Sequence, residues 1–142
     1  ISGPGKSEAY LRQLAEECGV ADRVHFLGNR TRSEIYSTLH GYDLFLLPSR
    51  YEGFGIPMIE AANCGVPSIG ATGSCLEEAG GPGALYVDPD DPQELARRIE
   101  EVLGDEALRR RMVADGRAWV ARFEPEVIAS ELLSTYRKVL AL

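Results

Sequence analysis

The run Asp43-Leu44-Phe45-Leu46-Leu47 constrains the fold more than any other stretch of this sequence. A strand with one wet face alternates apolar and polar residues. This one is apolar at four consecutive positions, as in a parallel sheet covered by helices on both sides. It leads into Pro48-Ser49-Arg50-Tyr51, then Glu52-Gly53-Phe54-Gly55, and then Ile56-Pro57, where proline suits the first turn of a helix. Strand, glycine loop and helix N-terminus in that order make an anion-binding arrangement, because unpaired amides and the helix dipole converge there.

The rest of the chain repeats the alternation. Leu11, Leu14, Ala15 and Cys18 fall at helical spacing over Ser7 to Cys18, with Gly19 as the stop. Arg23 to Leu27 reads as a short strand ending at Gly28. Thr31 and Glu34 form a capping box that opens a helix with Ile35 and Leu39 inward and Gly41 after it. A helix over Ile56 to Cys64 precedes Gly65 and the strand Val66 to Ile69. Gly70 to Ser74 reads as a loop, Leu76 to Ala79 as a short helix, Gly80 to Gly83 as a turn, and Ala84 to Val87 as the last strand. Asp91, Pro92 and Glu94 start a helix with Leu95, Ile99, Val102 and Leu103 on its inner face. Another carries Leu108, Met112 and Trp119 and ends near Phe123. Pro125 opens the final one, with Ile128, Leu132, Tyr136, Val139 and Leu140 inward. Right-handed crossovers turn this order into a Rossmann-like, three-layer α/β/α domain with a parallel sheet. The loops after Leu27, Leu47 and Ile69 are then expected at its ligand-binding edge.

Bulk properties remove several function classes. A formal net charge of −7 is wrong for a nucleic-acid-binding face. No apolar run reaches the roughly 20 residues of a membrane-spanning helix. Cys18, Cys64 and Cys75 lack metal-ligand spacing, so buried thiols in a reducing compartment are expected. Ile1-Ser2-Gly3 reads as the end of a strand, with no initiator methionine or signal peptide, which suggests a piece of a longer chain.

Other motifs favour plain readings. Gly3-Pro4-Gly5-Lys6-Ser7 has Glu8 where a dinucleotide fingerprint needs its third glycine, and it lacks the first glycine of a phosphate loop, so it reads as a strand-to-helix turn. Asn29-Arg30-Thr31 matches a glycosylation sequon by coincidence. His25 and His40 have no ligand-type neighbours at metal spacing. Glu52 and Glu60 are different. They flank the amides of Phe54, Gly55 and Ile56, and an ordinary dipole partner would explain Glu60 alone. Carboxylates accept two sugar hydroxyls each while backbone amides suit phosphate, a combination that describes a nucleotide-sugar.

Ser49-Arg50-Tyr51-Glu52 through Pro67, then Leu76-Glu77-Glu78 and Ala84-Leu85-Tyr86-Val87-Asp88-Pro89, resembles the donor-binding half of the family 4 (group 1) retaining glycosyltransferases. Val24-His25-Phe26-Leu27-Gly28 and Ile35-Tyr36 extend the likeness upstream, so it covers nearly the whole chain, and the Glu-x7-Glu segment with its Gly-Phe-Gly is its most specific part. The resemblance implies the C-terminal half of a B-type enzyme built from two Rossmann-like domains. Residues 1–142 would then be the donor domain, short of its first strand, with the acceptor-binding domain elsewhere in the parent chain. It implies that Glu52 contacts donor-sugar hydroxyls near the anomeric carbon and serves catalysis electrostatically. Gly53, Phe54, Gly55 and Ile56 would bring amides to sugar and diphosphate, Glu60 would take the ribose hydroxyls, and Gly28, Asn29 and Arg30 would border the base. It further implies hexose transfer, of mannose or glucose type, to a glycan, lipid or small-molecule acceptor, with retention and no bound metal or other cofactor. A cytoplasmic site, with room for peripheral association at the inner face of a membrane, follows from the same likeness.

Three departures stand out. The family's Arg and Lys pair on the diphosphate would lie upstream of Ile1. Glu77 replaces a common proline, and Glu124-Pro125 replaces an aromatic after Phe123. Two other sugar enzymes of this architecture, a phosphorylase or a nucleotide-sugar epimerase, are the nearest alternatives, but Lys6 and Lys138 are the only lysines and are poorly placed for pyridoxal phosphate. A noncatalytic nucleotide-binding α/β module is the alternative from another class. A phospho-receiver would need an acceptor Asp where Leu47-Pro48-Ser49 stands.

Overall fold

The structure is a computed structural model that describes Ile1 and residues 7–140. The chain divides into two units, Ile1–Thr38 and Leu39–Leu142. The turn expected at Gly3-Pro4-Gly5-Lys6 lies outside the described residues.

In the first unit, helix α1 (Glu8–Glu17) is braced by an Arg12–Glu8 pair at 2.7 Å one turn apart. It closes where Gly19 takes φ +66°, with the amides of Gly19 and Val20 returning to the carbonyls of Glu16 and Ala15. The strand expected over Arg23–Leu27 does not form. Ala21–Arg23 is a 3-10 turn, and the backbone of the extended segment after it bonds to Ile1. The Ile1 ammonium donates to the His25 carbonyl at 2.8 Å, and the Leu27 amide donates to the Ile1 carbonyl at 2.8 Å. The Arg12 guanidinium lies 4.3 Å from the centre of the Phe26 ring and covers it. Helix α2 (Arg32–Leu39) starts on the expected capping box: the Thr31 amide donates to Glu34 Oε2 at 2.8 Å, and the Glu34 amide to Thr31 Oγ1 at 3.3 Å.

The second unit is built on a parallel sheet of β1 (Phe45–Leu47), β2 (Ser68–Ala71) and β3 (Ala84–Val87), in that spatial order. Leu46 faces Ile69 across the first pair and Ile69 faces Leu85 across the second. Alternation along β3 sends Ala84 and Tyr86 to a core with Met58 of helix α3 (Ile56–Asn63) and with Leu76 and Ala79 of helix α4 (Leu76–Gly80). Leu85 and Val87 pack on the other face with Ile69, Val102 of helix α5 (Pro92–Gly104), and Leu108 and Met112 of helix α6 (Glu106–Val120). Helices on both faces of a parallel sheet make the three-layer α/β/α architecture that the alternation predicts.

Several local expectations are corrected. Among the described strands the run at Asp43–Leu47 pairs with β2, and Leu46 is 39% exposed. The central strand is β2, buried at every position and two residues further along than Val66–Ile69. Gly70, read as loop, belongs to it. A Cβ there would stand 3.0 Å from the Met58 sulfur, so glycine is what lets α3 pack this close to the sheet. Leu103 is exposed rather than inward. The final helix, α7 (Pro125–Leu140), forms where expected, but the face predicted to point inward is open, with Ile128, Leu132, Tyr136, Val139 and Leu140 between 39% and 85% exposed. Periodicity predicts a helix and its apolar stripe, not what covers it.

Candidate functional site

Three loops leave the carboxyl ends of the three parallel strands, and side chains tie them together. The first, residues 48–55, follows β1 and ends at Gly55, which caps α3 in a left-handed conformation with φ +96° and ψ 33°. A Cβ on Gly55 would meet Leu76 Cδ2 at 2.6 Å and the Ala79 methyl at 3.1 Å, so backbone conformation and close packing both require glycine. The Gly55 carbonyl takes the Met58 amide at 2.9 Å, which closes the first turn. No side chain caps this end of α3, and the amides of Gly53, Phe54, Gly55 and Ile56 donate to no acceptor among the described residues. The Ile56 amide is an uncompensated donor of a helix start, where an anion is held best, and the amides of Gly53, Phe54 and Gly55 lead up to it.

The two carboxylates occupy unlike surroundings. Glu52 is exposed in the loop, and its backbone carbonyl accepts the Cys75 thiol at 3.4 Å. Glu60 is the fifth residue of α3, in its second turn, and only 8% exposed. It is therefore not the first-turn dipole partner that the plain reading required, since α3 has no acidic residue in its first turn. A carboxylate this buried needs partners, and Glu60 is engaged with neighbouring groups. One turn on, burial pushes the Cys64 thiol pKa up and the charge on Glu60 adds to it, with Arg117 acting the other way.

The second loop runs from Thr72 to Cys75, after β2. Glu77, which stands where proline is common in the resembling family, closes it: Thr72 Oγ1 donates to the Glu77 carboxylate at 2.6 Å and the Gly73 amide at 3.0 Å. These bonds hold the Glu77 carboxyl below the usual carboxylate range. The third loop follows β3. Asp90 receives the Arg50 guanidinium, through Nε at 2.9 Å and through Nη2. Phe54 packs edge-on against Phe123, with ring centroids 5.5 Å apart and planes at 89°.

Glu52, Gly53, Phe54, Gly55, Ile56 and Glu60 thus lie on one continuous piece of the second unit, from loop to second helical turn. Gly28, Asn29 and Arg30 belong to the first unit, where Gly28 has φ +62° and Arg30 pairs with Glu34 at 3.3 Å. Sequence reasoning gave Arg50, Asp90, Glu77 and Phe123 no part in the site, because each is tied in by a contact distant in sequence or by a loop closure. The cysteines also depart from expectation: all are free, but only Cys64 is buried, and Cys18 is exposed. Among the described residues, no group of three or more His, Cys, Asp or Glu could hold a metal ion, and no helix is long and apolar enough to cross a membrane.

Comparison with known proteins gives the arrangement a family. A profile of glycosyl transferases group 1 matches residues 1–119. A GDP-mannose-dependent monoacylated alpha-(1-6)-phosphatidylinositol monomannoside mannosyltransferase of Corynebacterium glutamicum is 36% identical, over 93% of this chain and 36% of its own length. A D-inositol 3-phosphate glycosyltransferase of the same species is 33% identical, over 99% of this chain and 34% of its own length. The chain therefore spans about a third of the curated relatives it matches. Among solved structures, sucrose-phosphate synthase from Thermosynechococcus elongatus superposes with a TM-score of 0.83 at 30% identity, covering 98% of this chain and 37% of that one. Anabaena HepE in complex with UDP-glucose superposes with a TM-score of 0.84 at 26% identity, covering 96% of this chain and 40% of that one. On the family profile, the curated relatives and the shared B-type fold together, this chain belongs to the glycosyl transferases group 1, a family of enzymes.

Proposed function

We propose that this chain is the donor-binding domain of a retaining hexosyltransferase, which moves mannose or glucose from a nucleoside diphosphate sugar to a glycan, lipid or small-molecule acceptor. The observation that carries the reading is the segment from Glu52 to Glu60. An exposed carboxylate, a run of unpaired amides at a helix N-terminus and a buried, engaged carboxylate follow one another along it. The amides of Gly53 to Ile56 take sugar and diphosphate oxygens without a metal, since orphan N–H groups and the helix dipole already oppose the charge. Glu52 meets the sugar hydroxyls near the anomeric carbon and stabilises positive charge as it develops there. Glu60 accepts the ribose hydroxyls, and Gly28 to Arg30 border the base. A second domain of the parent chain brings the acceptor, and the leaving phosphate assists its deprotonation. The complexes of HepE with UDP and UDP-glucose, and the mannosyltransferase relatives, support hexose as the cargo.

The test is sugar transfer from UDP-glucose and GDP-mannose by the longer protein that carries this chain. Glu52→Ala is expected to lower kcat about a hundredfold or more, the scale of a lost electrostatic contact in a transition state. Unchanged turnover would remove Glu52 from the mechanism.

A further inference from the structure

The loop that displays Glu52 is pinned at both ends, and the pin at its start is an ion pair that no motif marks. Arg50 directs two donors, Nε and Nη2, at a single oxygen of Asp90, forty residues further along the chain. Asp90 is itself a fixed post. Its amide donates to the Asp88 carboxylate at 2.8 Å, the Asp88 amide donates to Glu94 at 3.3 Å, and Asp91 next to it caps α5 by accepting the amides of Gln93 at 3.0 Å and Glu94 at 2.8 Å. Arg50 therefore fastens the start of the 48–55 loop to the capped end of α5, across the mouth of the central strand. Phe54, locked edge-on to Phe123, fastens its far end. Between these points Tyr51 stands 93% exposed and Glu52 is exposed beside it, with only the Glu52 carbonyl held, by Cys75. Tyr51 and Glu52 have no regular secondary structure, and Gly53 sits in a bend with open space around it, where glycine adds conformational freedom.

We infer that Arg50 and Asp90 are a positioning pair: they hold the loop so that Glu52 and the Gly53–Ile56 amides are ordered before the donor arrives. This rests on the donor-site reading above. A loop ordered in advance spares the ligand that entropy and keeps the carboxylate within reach of the anomeric centre. The competing role for Arg50 is that of a phosphate ligand masked by Asp90, and the two roles predict opposite signs. Asp90→Ala removes the acceptor, so it frees Arg50 and takes away one negative charge near an anionic donor. A masked ligand would then bind more tightly, whereas a positioning pair binds more weakly.

The experiment is a titration of the intact chain with UDP-glucose, and separately GDP-mannose, read from backbone amide shifts, with amide order parameters and thermal midpoints measured on the same samples. For Asp90→Ala, and likewise Arg50→Gln, affinity should fall roughly two- to fivefold, the range of a well-formed exposed ion pair. Order parameters at Tyr51 to Phe54 should drop from about 0.85 towards 0.6, with the thermal midpoint unmoved. The double variant should be no worse than either single one, because both remove the same contact. Unchanged or tighter binding, or an unchanged loop, overturns the inference. If the unsubstituted chain takes neither nucleotide sugar, the donor reading fails by itself, and the order parameters still decide whether the pair holds the loop.

Discussion

Replacing Gly55 by alanine tests the loop geometry through stability. The added methyl forces an L-residue to keep φ +96°, which costs about 1–2 kcal/mol for left-handed backbone. The methyl also lands 2.6 Å from Leu76 Cδ2 and 3.1 Å from the Ala79 methyl. Leu76 and Ala79 are wholly buried, so neither can swing into solvent, and overpacking of this kind adds about 1–3 kcal/mol. The sum, about 2–5 kcal/mol, is a large part of the roughly 5–15 kcal/mol that holds a domain together. Urea unfolding followed by the fluorescence of the single tryptophan, Trp119, reports the unit that contains Gly55, because its indole donates to the Glu78 carbonyl at 2.8 Å. The midpoint should fall by about 1 M or more at an ordinary urea dependence. Gly53→Ala is the control. It has no positive φ and no atom within 4 Å, so it should be neutral, or stabilise by up to about 1 kcal/mol through the unfolded state. If both variants shift the midpoint alike, or Gly55→Ala costs less than about 0.5 kcal/mol, the left-handed cap and its packing are not what shape this loop.

Other expectations follow from neighbouring contacts. Asp91→Ala removes a side chain that caps α5 with two amide bonds and should cost about 1 kcal/mol in the same assay, with Asp91→Asn much milder. Glu77 has its carboxyl pKa lowered by Thr72 and Gly73, so its contribution is present above the unfolded carboxylate value and is lost as pH falls through the lower folded value. Protection of the Gly73 amide, its exchange rate relative to the intrinsic rate at the same pH, should therefore fall on acidification below about pH 4 in the parent and be low throughout in Glu77→Gln. Tyr86, half-buried, donates to the Gly81 carbonyl at 2.8 Å, and burial raises its pKa; that carbonyl also accepts the Ala84 amide, so Tyr86→Phe loses one hydrogen bond without orphaning the acceptor and should cost about 1 kcal/mol or less, seen in urea at neutral pH.

Much of this fold could be read locally. The capping box at Thr31 and Glu34, the Asp91-Pro92 start of α5 and β3 at Ala84–Val87 each carry their own signal within a few residues, and each forms where the sequence puts it. The readings that failed depend on partners. Gly70 resembles a loop residue until Met58 is packed against it, and the stripe of α7 is plain while its covering is not. The candidate site divides in the same way. Gly55 and the two glutamates are visible because conformation and charge are properties of single positions. Arg50 with Asp90, Phe54 with Phe123 and Cys75 with Glu52 join residues 40, 69 and 23 positions apart, and only the folded sheet edge brings them together.

The central claim is that the stretch from Glu52 to Glu60 receives a nucleotide sugar. Its most direct test is the pattern of amide shifts when the chain is titrated with millimolar UDP-glucose or GDP-mannose. The account predicts saturable shifts largest at Gly53, Phe54, Gly55 and Ile56, weakened by Glu60→Gln through loss of a ribose contact. Saturable shifts centred away from these amides, or none with either nucleotide sugar, would contradict it.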